Sequence, residues 1–295
     1  MDTRVSGQPA GAARPAPRGT GRGPGAVARA ERPVPPDAAD RWVQGALVLA
    51  ILVGAVALWQ GVVVMTRVPP FLVPAPAAVA RAALAAVRSG VLVPALAVTL
   101  YETLGGFALG SALALLLAVL ITHSRVARLG LYPYVVAFQS IPKVAIAPLL
   151  VVWFGFGVSS KIVTAALVAL FPVLVNTIAG LEAADAGHLE LMRAVCASRW
   201  QTFRWVRWPA CLPFLFAGLE TGLIFSLIGA IVAEFVGAKA GLGTYILNLQ
   251  FTMDTAGVFA GLLVLSATGV VLHGILRAVG RRVVFWTRVE ARMGA

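Results

Sequence analysis

The sequence predicts an all-α, polytopic membrane protein with about six transmembrane helices. Of its 295 residues, 59% are apolar and only 12% are charged, a balance that a soluble globule of this size could not cover with polar surface. The apolar residues form long runs without the period-two alternation of strands, each near the length of about 20 residues that a bilayer core requires. Because lipid offers the backbone no hydrogen-bonding water, such runs must be helices.

The first predicted transmembrane helix is the apolar run at 42–65, which is too long for the core of a signal peptide. Residues 1–41 are rich in Ala, Gly, Pro and Arg, with too few large apolar residues to form a core, so a disordered tail is predicted. Residues 66–96 combine a proline-rich stretch with Arg81 and Arg88 among small apolar residues. This pattern predicts an outer loop and a helix in the membrane interface.

Five further apolar runs, each bounded by charge, glycine or proline, complete the six predicted spans. They lie at about 97–122, 131–156, 161–181, 212–237 and 257–280. Together they predict a core domain over 97–287, which includes a polar loop at 182–209. A short tail at 288–295 follows the core domain.

Basic residues are distributed unevenly between the two sets of connecting segments. With the N-terminus in the cytosol, eighteen Lys and Arg residues fall on inner segments and five, including Lys161 and Lys239, on outer segments. This is the positive-inside pattern, and it predicts that both termini are cytosolic. The net charge of +12 therefore reflects membrane topology. The basic residues are not interleaved with aromatic residues that could stack on bases, so binding to nucleic acid is not indicated.

The polar loop at 182–209 is the longest predicted inner loop, and its residues have helical spacing. Ser198 with Gln201 three residues later forms a capping box, which predicts the start of a new helix. The loop is therefore predicted to be two short amphipathic helices with a bend at Cys196 and Ala197. A passive pair of interfacial helices that merely connects two spans would give the same pattern.

The loop resembles the cytoplasmic "EAA" signature of permease subunits of ATP-binding-cassette (ABC) importers. The literal Glu-Ala-Ala at 182–184 lies about eight residues too early, and the spacing to Ser198 and Pro213 identifies Glu190 as the glutamate of the signature. The family usually has glycine where this chain has Cys196. Glycine suits a left-handed helix end, and another residue there costs about 1 kcal/mol.

In that family the loop docks on the ATPase, which moves the membrane helices. The residues to which the resemblance assigns this coupling are Glu190, Arg193, Cys196, Ala197, Ser198, Arg199, Gln201 and Pro209. The resemblance covers roughly 68–287 and is most similar to permeases of nitrate, sulfonate and taurine importers. The matching stretches include Val73-Pro74-Ala75-Pro76, Gly106-Phe107, Ile141-Pro142, Trp153-Phe154-Gly155, Ser160-Lys161-Ile162, Phe171-Pro172, Ala233-Glu234-Phe235 and Gly241-Leu242-Gly243.

The resemblance also implies the partners of the chain. They are cytosolic ATPase subunits, an extracytoplasmic solute-binding protein and a second permease subunit, expected to be a copy of this chain. The chain itself is expected to be a non-catalytic transport subunit without a cofactor. The sequence contains no phosphate-binding Gly-x-x-x-x-Gly-Lys-Ser/Thr, so ATP hydrolysis is assigned to a partner.

Four ionisable residues fall within or at the ends of predicted spans and are candidates for the translocation pathway: Glu102, Lys143, Glu220 and Glu234. An unpaired charge there costs at least about 2.5 kcal/mol, so each should face protein or water. Lys143 either pairs with Glu102 or Glu220, or lines the route and attracts an anionic substrate. Glu234 either faces the pathway or the docked binding protein, or is a solvated helix end beside a glycine-rich turn.

Two other classes of function have less support from the sequence. An ion-coupled secondary transporter would use Glu102, Lys143 and Glu220, but such folds commonly have an internal repeat, and none is detected here. An intramembrane enzyme is not indicated by any catalytic or metal-ligand motif. The sequence leaves two classes of substrate open. Lys143 suggests a small anion such as a sulfonate or nitrate. The acidic Glu102 is also compatible with an uncharged heterocycle such as a vitamin precursor.

Overall fold

The computed structural model describes residues 38–66 and 68–286. All regular structure in this part of the chain is helical, in agreement with the predicted fold class. The predicted tails lie outside the described residues, except that residues 38–41 form the start of the first helix. Contacts divide the chain into two units, Met1–Val43 and Gln44–Ala295, and only the beginning of the first helix is described in the former.

Eleven α-helices are present among the described residues. They are α1 (Ala38–Thr66), α2 (Pro76–Arg88), α3 (Leu92–His123), α4 (Arg125–Gln139), α5 (Ala147–Phe154), α6 (Val158–Glu182), α7 (Ala186–Ala194), α8 (Arg199–Thr202), α9 (Trp208–Gly237), α10 (Leu242–Phe251) and α11 (Thr255–Val283). A 3₁₀ turn at Lys143–Ile146 precedes α5, and a π-helical turn at Phe203–Arg207 joins α8 to α9.

Five helical stretches of the described chain are long and apolar enough to cross a membrane. They are Gly45–Thr66, Leu92–His123, Val158–Glu182, Arg199–Gly237 and Thr255–Val283. They match five of the six predicted spans. The sixth predicted span, at 131–156, was predicted as a single run and is not one continuous helix in the structure.

The predicted third span is a sharply bent pair of helical segments. Arg125–Gln139 and Lys143–Phe154 meet at 88°, so the prediction of one continuous run is corrected to a broken span or re-entrant segment. The bend coincides with Pro142, which has no N–H to donate and disfavours helical geometry at Ile141 before it. Over the residues that the structure describes, there are six spans only if this bent pair counts as one.

The centre of the bundle is formed by α3, α6 and α9, which pack on one another. On α3, Gly106 and Gly110 lie directly against α6 at Ala165 and Ala166, and a Cβ at either glycine would overlap α6. Small residues four apart let transmembrane helices approach until their backbones touch. The two helices are therefore in close contact along this face.

The bundle has two ends, separated by the length of α6, which is about 37 Å for a helix of 25 residues. At the loop end, α6 finishes and α7 and α8 lead into α9. At the opposite end, α3 and α6 begin and α9 turns into α10. The helix α10 was not predicted, since its ten residues are too short for a span.

Candidate functional site

The polar loop at the loop end consists of two short helices with well-defined starts. Asp185 begins α7, and its carboxylate Oδ1 accepts the N–H groups of Gly187 and His188 at 2.9 and 3.1 Å. At the start of α8, the Ser198 hydroxyl accepts the N–H of Gln201 at 3.2 Å, and the Ser198 N–H donates to the Gln201 side chain at 2.7 Å. The predicted capping box is therefore confirmed.

The turn between α7 and α8 depends on a left-handed residue. Cys196 has a φ of 53°, the conformation that glycine adopts most easily. Its N–H donates to the Arg193 carbonyl at 3.0 Å, and the Ala197 N–H donates to the Met192 carbonyl at 2.9 Å. These two bonds close the end of α7 in the way that a C-terminal glycine usually does.

We expect Cys196→Gly to stabilise this turn by up to about 1 kcal/mol, because glycine has no Cβ to oppose a positive φ. Amide hydrogen exchange at Ala197 is expected to slow in the variant. Ala194→Gly is the matched control, since it places glycine at a helical position in the last turn of α7 and should speed the exchange. Unchanged or faster exchange in Cys196→Gly would show that the left-handed turn is not strained.

The loop presents a mixed apolar and charged surface. Six of the eight predicted coupling residues are exposed, while Ala197 and Pro209 are partly buried. Large apolar side chains lie beside them, including Leu191, Val195, Trp200 and Trp205, whose exposed fractions are 59 to 69%. Exposed apolar side chains with a charged rim are typical of a surface that binds a protein or a membrane.

The second site is a buried polar cluster at the opposite end, composed of Thr99, Glu102, Lys161 and Glu234. The three charged side chains are 2%, 0% and 1% exposed in that order. They come from α3, α6 and α9, the three central helices. The prediction that placed Lys161 in an outer connecting segment is wrong, because α6 begins three residues earlier and the side chain points into the bundle.

Lys161 joins the start of α6 to the end of α9. Its Nζ donates to the carbonyls of Phe156 at 2.9 Å and Gly237 at 2.5 Å, and to the Ser160 hydroxyl at 3.3 Å. Gly237 is the last residue of α9, so its carbonyl has no acceptor role within that helix. A cation at this position is also favoured by the partial negative charge of a helix C-terminus.

Glu234 caps α10 from the last turn of α9. Its carboxylate accepts from the Thr99 hydroxyl at 2.6 Å and from the N–H groups of Gly243 at 2.5 Å and Thr244 at 3.4 Å. The Leu242 N–H donates to Thr99 at 2.7 Å, which completes the first turn of α10. The prediction of a solvated helix end is therefore wrong, and the carboxylate stabilises the break between two helices.

The four ionisable residues predicted within spans do not form one site. Glu102 is buried near Glu234, and its Oε2 has no hydrogen-bond partner among the described residues. Lys143 pairs with neither Glu102 nor Glu220, contrary to the first prediction for it. Its Nζ donates to the Gln139 carbonyl at 3.0 Å and lies 4.5 Å above the ring of Phe171.

Glu220, the remaining predicted residue, faces a different helix. Its carboxylate lies 3.9 Å from Nε2 of His273 on α11, so these two residues connect α9 to the last span. Lys161 was not among the predicted site residues, although Ser160-Lys161-Ile162 belongs to the matching stretches. The only sequence signal for the burial of Lys161 is its position at the start of a long apolar run, where a charged side chain must face protein or water.

Comparison with known proteins adds independent information. Residues 106–285 match the family described as binding-protein-dependent transport system inner membrane component. The riboflavin transport system permease protein RibX of Chloroflexus aurantiacus is 37% identical over 228 residues, which are 77% of this chain and 85% of that protein. The putative aliphatic sulfonates transport permease protein SsuC of Bacillus subtilis is 31% identical over 245 residues, 83% of this chain and 88% of that protein.

The fold is similar to that of a solved membrane complex. A chain in the crystal structure of an amino acid ABC transporter with histidines superimposes with a TM-score of 0.56 at 18% sequence identity. The match covers 68% of this chain and 96% of the other. At this identity the likeness supports the arrangement of helices and says nothing about the solute.

Proposed function

The chain belongs to the family of binding-protein-dependent transport system inner membrane components, and from that premise we propose how its two sites serve import. It is the multi-pass permease subunit of an ABC importer and works with an ATPase and a solute-binding protein. It has no catalytic role of its own. We propose that α7 and α8 are the helices on which the ATPase docks.

The continuity of α8 with α9 is the main observation in support of this proposal. Residues Arg199–Gly237 form one helical stretch of 39 residues. A π-helical turn at Phe203–Arg207 joins α8 to α9, with no loop between the two helices. A force applied to α8 would therefore reach a transmembrane helix without loss in a flexible segment. The capped starts of α7 and α8 keep the docking surface rigid.

The packing of α9 determines what such a movement would change. This helix lies against α6 and α3, and its last turn is fixed to α6 by Lys161 and to α10 by Glu234. We propose that the three central helices and α10 tilt together when the ATPase closes. Alternating access would then come from the movement of one such rigid group against that of a second subunit.

We further propose a homodimer with the loop end and both termini in the cytosol. The excess of basic residues on that side supports the orientation. Because Glu102 and Glu234 are buried within one subunit, the pathway is proposed to run between two subunits. Lys143 and Glu220, both half-buried, remain candidates to face it.

A small anion of the sulfonate, nitrate or taurine type is the first candidate for the solute. Among the described residues Lys143 has no carboxylate within salt-bridge distance, so its charge is available to attract an anion. The similarity to a sulfonate permease supports the same class. A heterocycle of the vitamin type is the second candidate, because the RibX protein is named for riboflavin.

The docking proposal is tested by Glu190→Ala in the complete transporter, reconstituted with its ATPase and binding protein. We expect ATP hydrolysis stimulated by the binding protein to fall about tenfold, since a hydrogen bond to a charged group contributes about 1.5 kcal/mol. The Glu190 side chain is exposed, so the folded yield should not change. Arg281→Ala, an exposed charge at the same end on α11, is the control.

Cys196 provides a second measurement in the same preparation. It is exposed and Cys211 is buried, so a membrane-impermeant maleimide should label Cys196 alone and only from the cytosolic side. Bound ATPase should protect it from the reagent. Labelling that the ATPase does not change, together with undiminished hydrolysis in Glu190→Ala, would contradict the docking role.

A further inference from the structure

A basic cavity of about 760 Å³ lies at the loop end, between the junction of α3 with α4 and the helices α7 and α8. Arg193, Ala197 and Arg199 line it and also belong to the predicted coupling residues, whereas other lining residues come from α3, α4, the end of α6 and the π-helical turn before α9. Six basic side chains line it: His123, Arg125, Arg128, Arg193, Arg199 and Arg207. We call this space the arginine cavity.

The positive charge of the arginine cavity is largely uncompensated. No carboxylate is among its lining residues. Within the part of the chain that the structure describes, Arg128 is the one lining arginine with a carboxylate partner, Glu182 at 3.1 Å. Four guanidinium groups therefore face a common space without a counter-charge, an arrangement that favours an anion with several acceptor oxygens.

The inner wall of the arginine cavity is apolar and belongs to the ends of membrane spans. Val119 and Ile121 come from the last turns of α3, Leu181 from the last turn of α6, and Leu129 from the start of α4. The side chain of Leu129 is 70% exposed beside the cavity. A ligand that fits this space should have an anionic head and an apolar body at the depth where the spans end.

We propose that the arginine cavity binds the phosphate headgroup of an anionic phospholipid from the cytoplasmic leaflet. Basic pockets between transmembrane helices on that side are suited to such headgroups. The apolar wall favours a lipid over free phosphate or an acidic segment of a partner protein, neither of which would use it. The inference rests on the proposed function, because it requires the loop end to face the cytosol.

A bound headgroup would connect the docking helices to the membrane. Arg193 and Arg199 come from α7 and α8, whereas Arg125 and Arg128 come from the start of α4. One phosphate held by both pairs would bridge the loop to the bent third segment, with hydrogen bonds of the strong charge-assisted type. The lipid would thus fix the position of the loop on which the ATPase acts.

The test uses the complete transporter, purified in detergent and titrated with phosphatidylglycerol or phosphatidylcholine, with retained lipid measured by native mass spectrometry. We expect phosphatidylglycerol to be retained by the wild type. In the double variant Arg125→Gln/Arg207→Gln the affinity should fall about tenfold or more. Arg281→Gln/Arg282→Gln removes the same charge from α11, outside the arginine cavity, and should leave retention unchanged.

Several results would overturn the inference. Equal retention in the double variant and the wild type would place the lipid elsewhere. Displacement of phosphatidylglycerol by inorganic phosphate at similar concentrations would identify a site for free phosphate. Retention only in the absence of the ATPase would assign the arginine cavity to an acidic segment of that partner. Protection of Cys196 by the ATPase is measured separately, so failure of the lipid proposal is distinguishable from failure of the docking proposal.

Discussion

Replacement of Lys161 by methionine is expected to destabilise the permease by about 3 kcal/mol, because it removes three hydrogen bonds of a buried ammonium group, and a hydrogen bond to a charged group contributes about 1.5–3 kcal/mol. Methionine fills a similar volume but has neither the charge nor the donors. Glu102 and Glu234 would lose the only cation of the buried polar cluster, and the Gly237 carbonyl at the end of α9 would lose its donor. We expect a low folded yield and a reduced midpoint of thermal unfolding in detergent.

Lys143→Met is the matched control for this experiment. Lys143 is also a lysine in a helical segment of the core, but it is half-buried and contacts one carbonyl and one ring. Its removal should cost less than about 1 kcal/mol. In the Lys161→Met background, Glu102→Leu should recover part of the lost stability, because it removes a buried, incompletely hydrogen-bonded carboxyl whose nearby cation has been lost. Equal stability of Lys161→Met and the wild type would show that the cluster contributes nothing to the fold.

Replacement of Gly110 by leucine is expected to separate α3 from α6 and to cost about 3 kcal/mol. A Cβ at this position would lie 2.5 Å from the carbonyl oxygen of Ala166, an atom of the α6 backbone that no change of rotamer can move. The proposed tilt of the central helices as a group depends on this contact. Transport is therefore expected to fall more than folded yield, measured as solute uptake per assembled complex.

Gly130→Leu tests whether this loss is specific to the contact. Gly130 lies within α4, and nothing is within 4 Å of the position its Cβ would occupy. Leucine has the higher helix propensity by up to about 1 kcal/mol, so this variant should be neutral or slightly stabilising. If Gly110→Leu behaves like Gly130→Leu, the close approach of α3 and α6 is not required.

The polar loop could be predicted well because its signals are local. Ser198 and Gln201 are three residues apart and satisfy each other within one turn. The bend at Cys196 likewise depends on carbonyls three and five residues earlier in the chain. The break at Pro142 is also a local effect, because proline has no N–H to donate and disfavours helical geometry at the residue before it.

The buried polar cluster could not be predicted in the same way. Thr99 and Glu234 are 135 residues apart in the chain, and Lys161 donates to a carbonyl 76 residues later. The count of basic residues assigned Lys161 to an outer connecting segment, because a lysine ordinarily avoids the bilayer. The start of α10 has no local signal either, because the carboxylate that caps it belongs to another helix.

The sequence by itself determined the membrane class, the approximate limits of five continuous spans, the orientation favoured by charge and the two-helix form of the loop. Each of these depends on hydrophobic length, charge count or bonds between residues within one or two turns. The tertiary structure alone decided which charges are buried together and which arginines share a cavity. Those features depend on contacts between residues far apart in the chain, and no local pattern specifies them before the helices have packed.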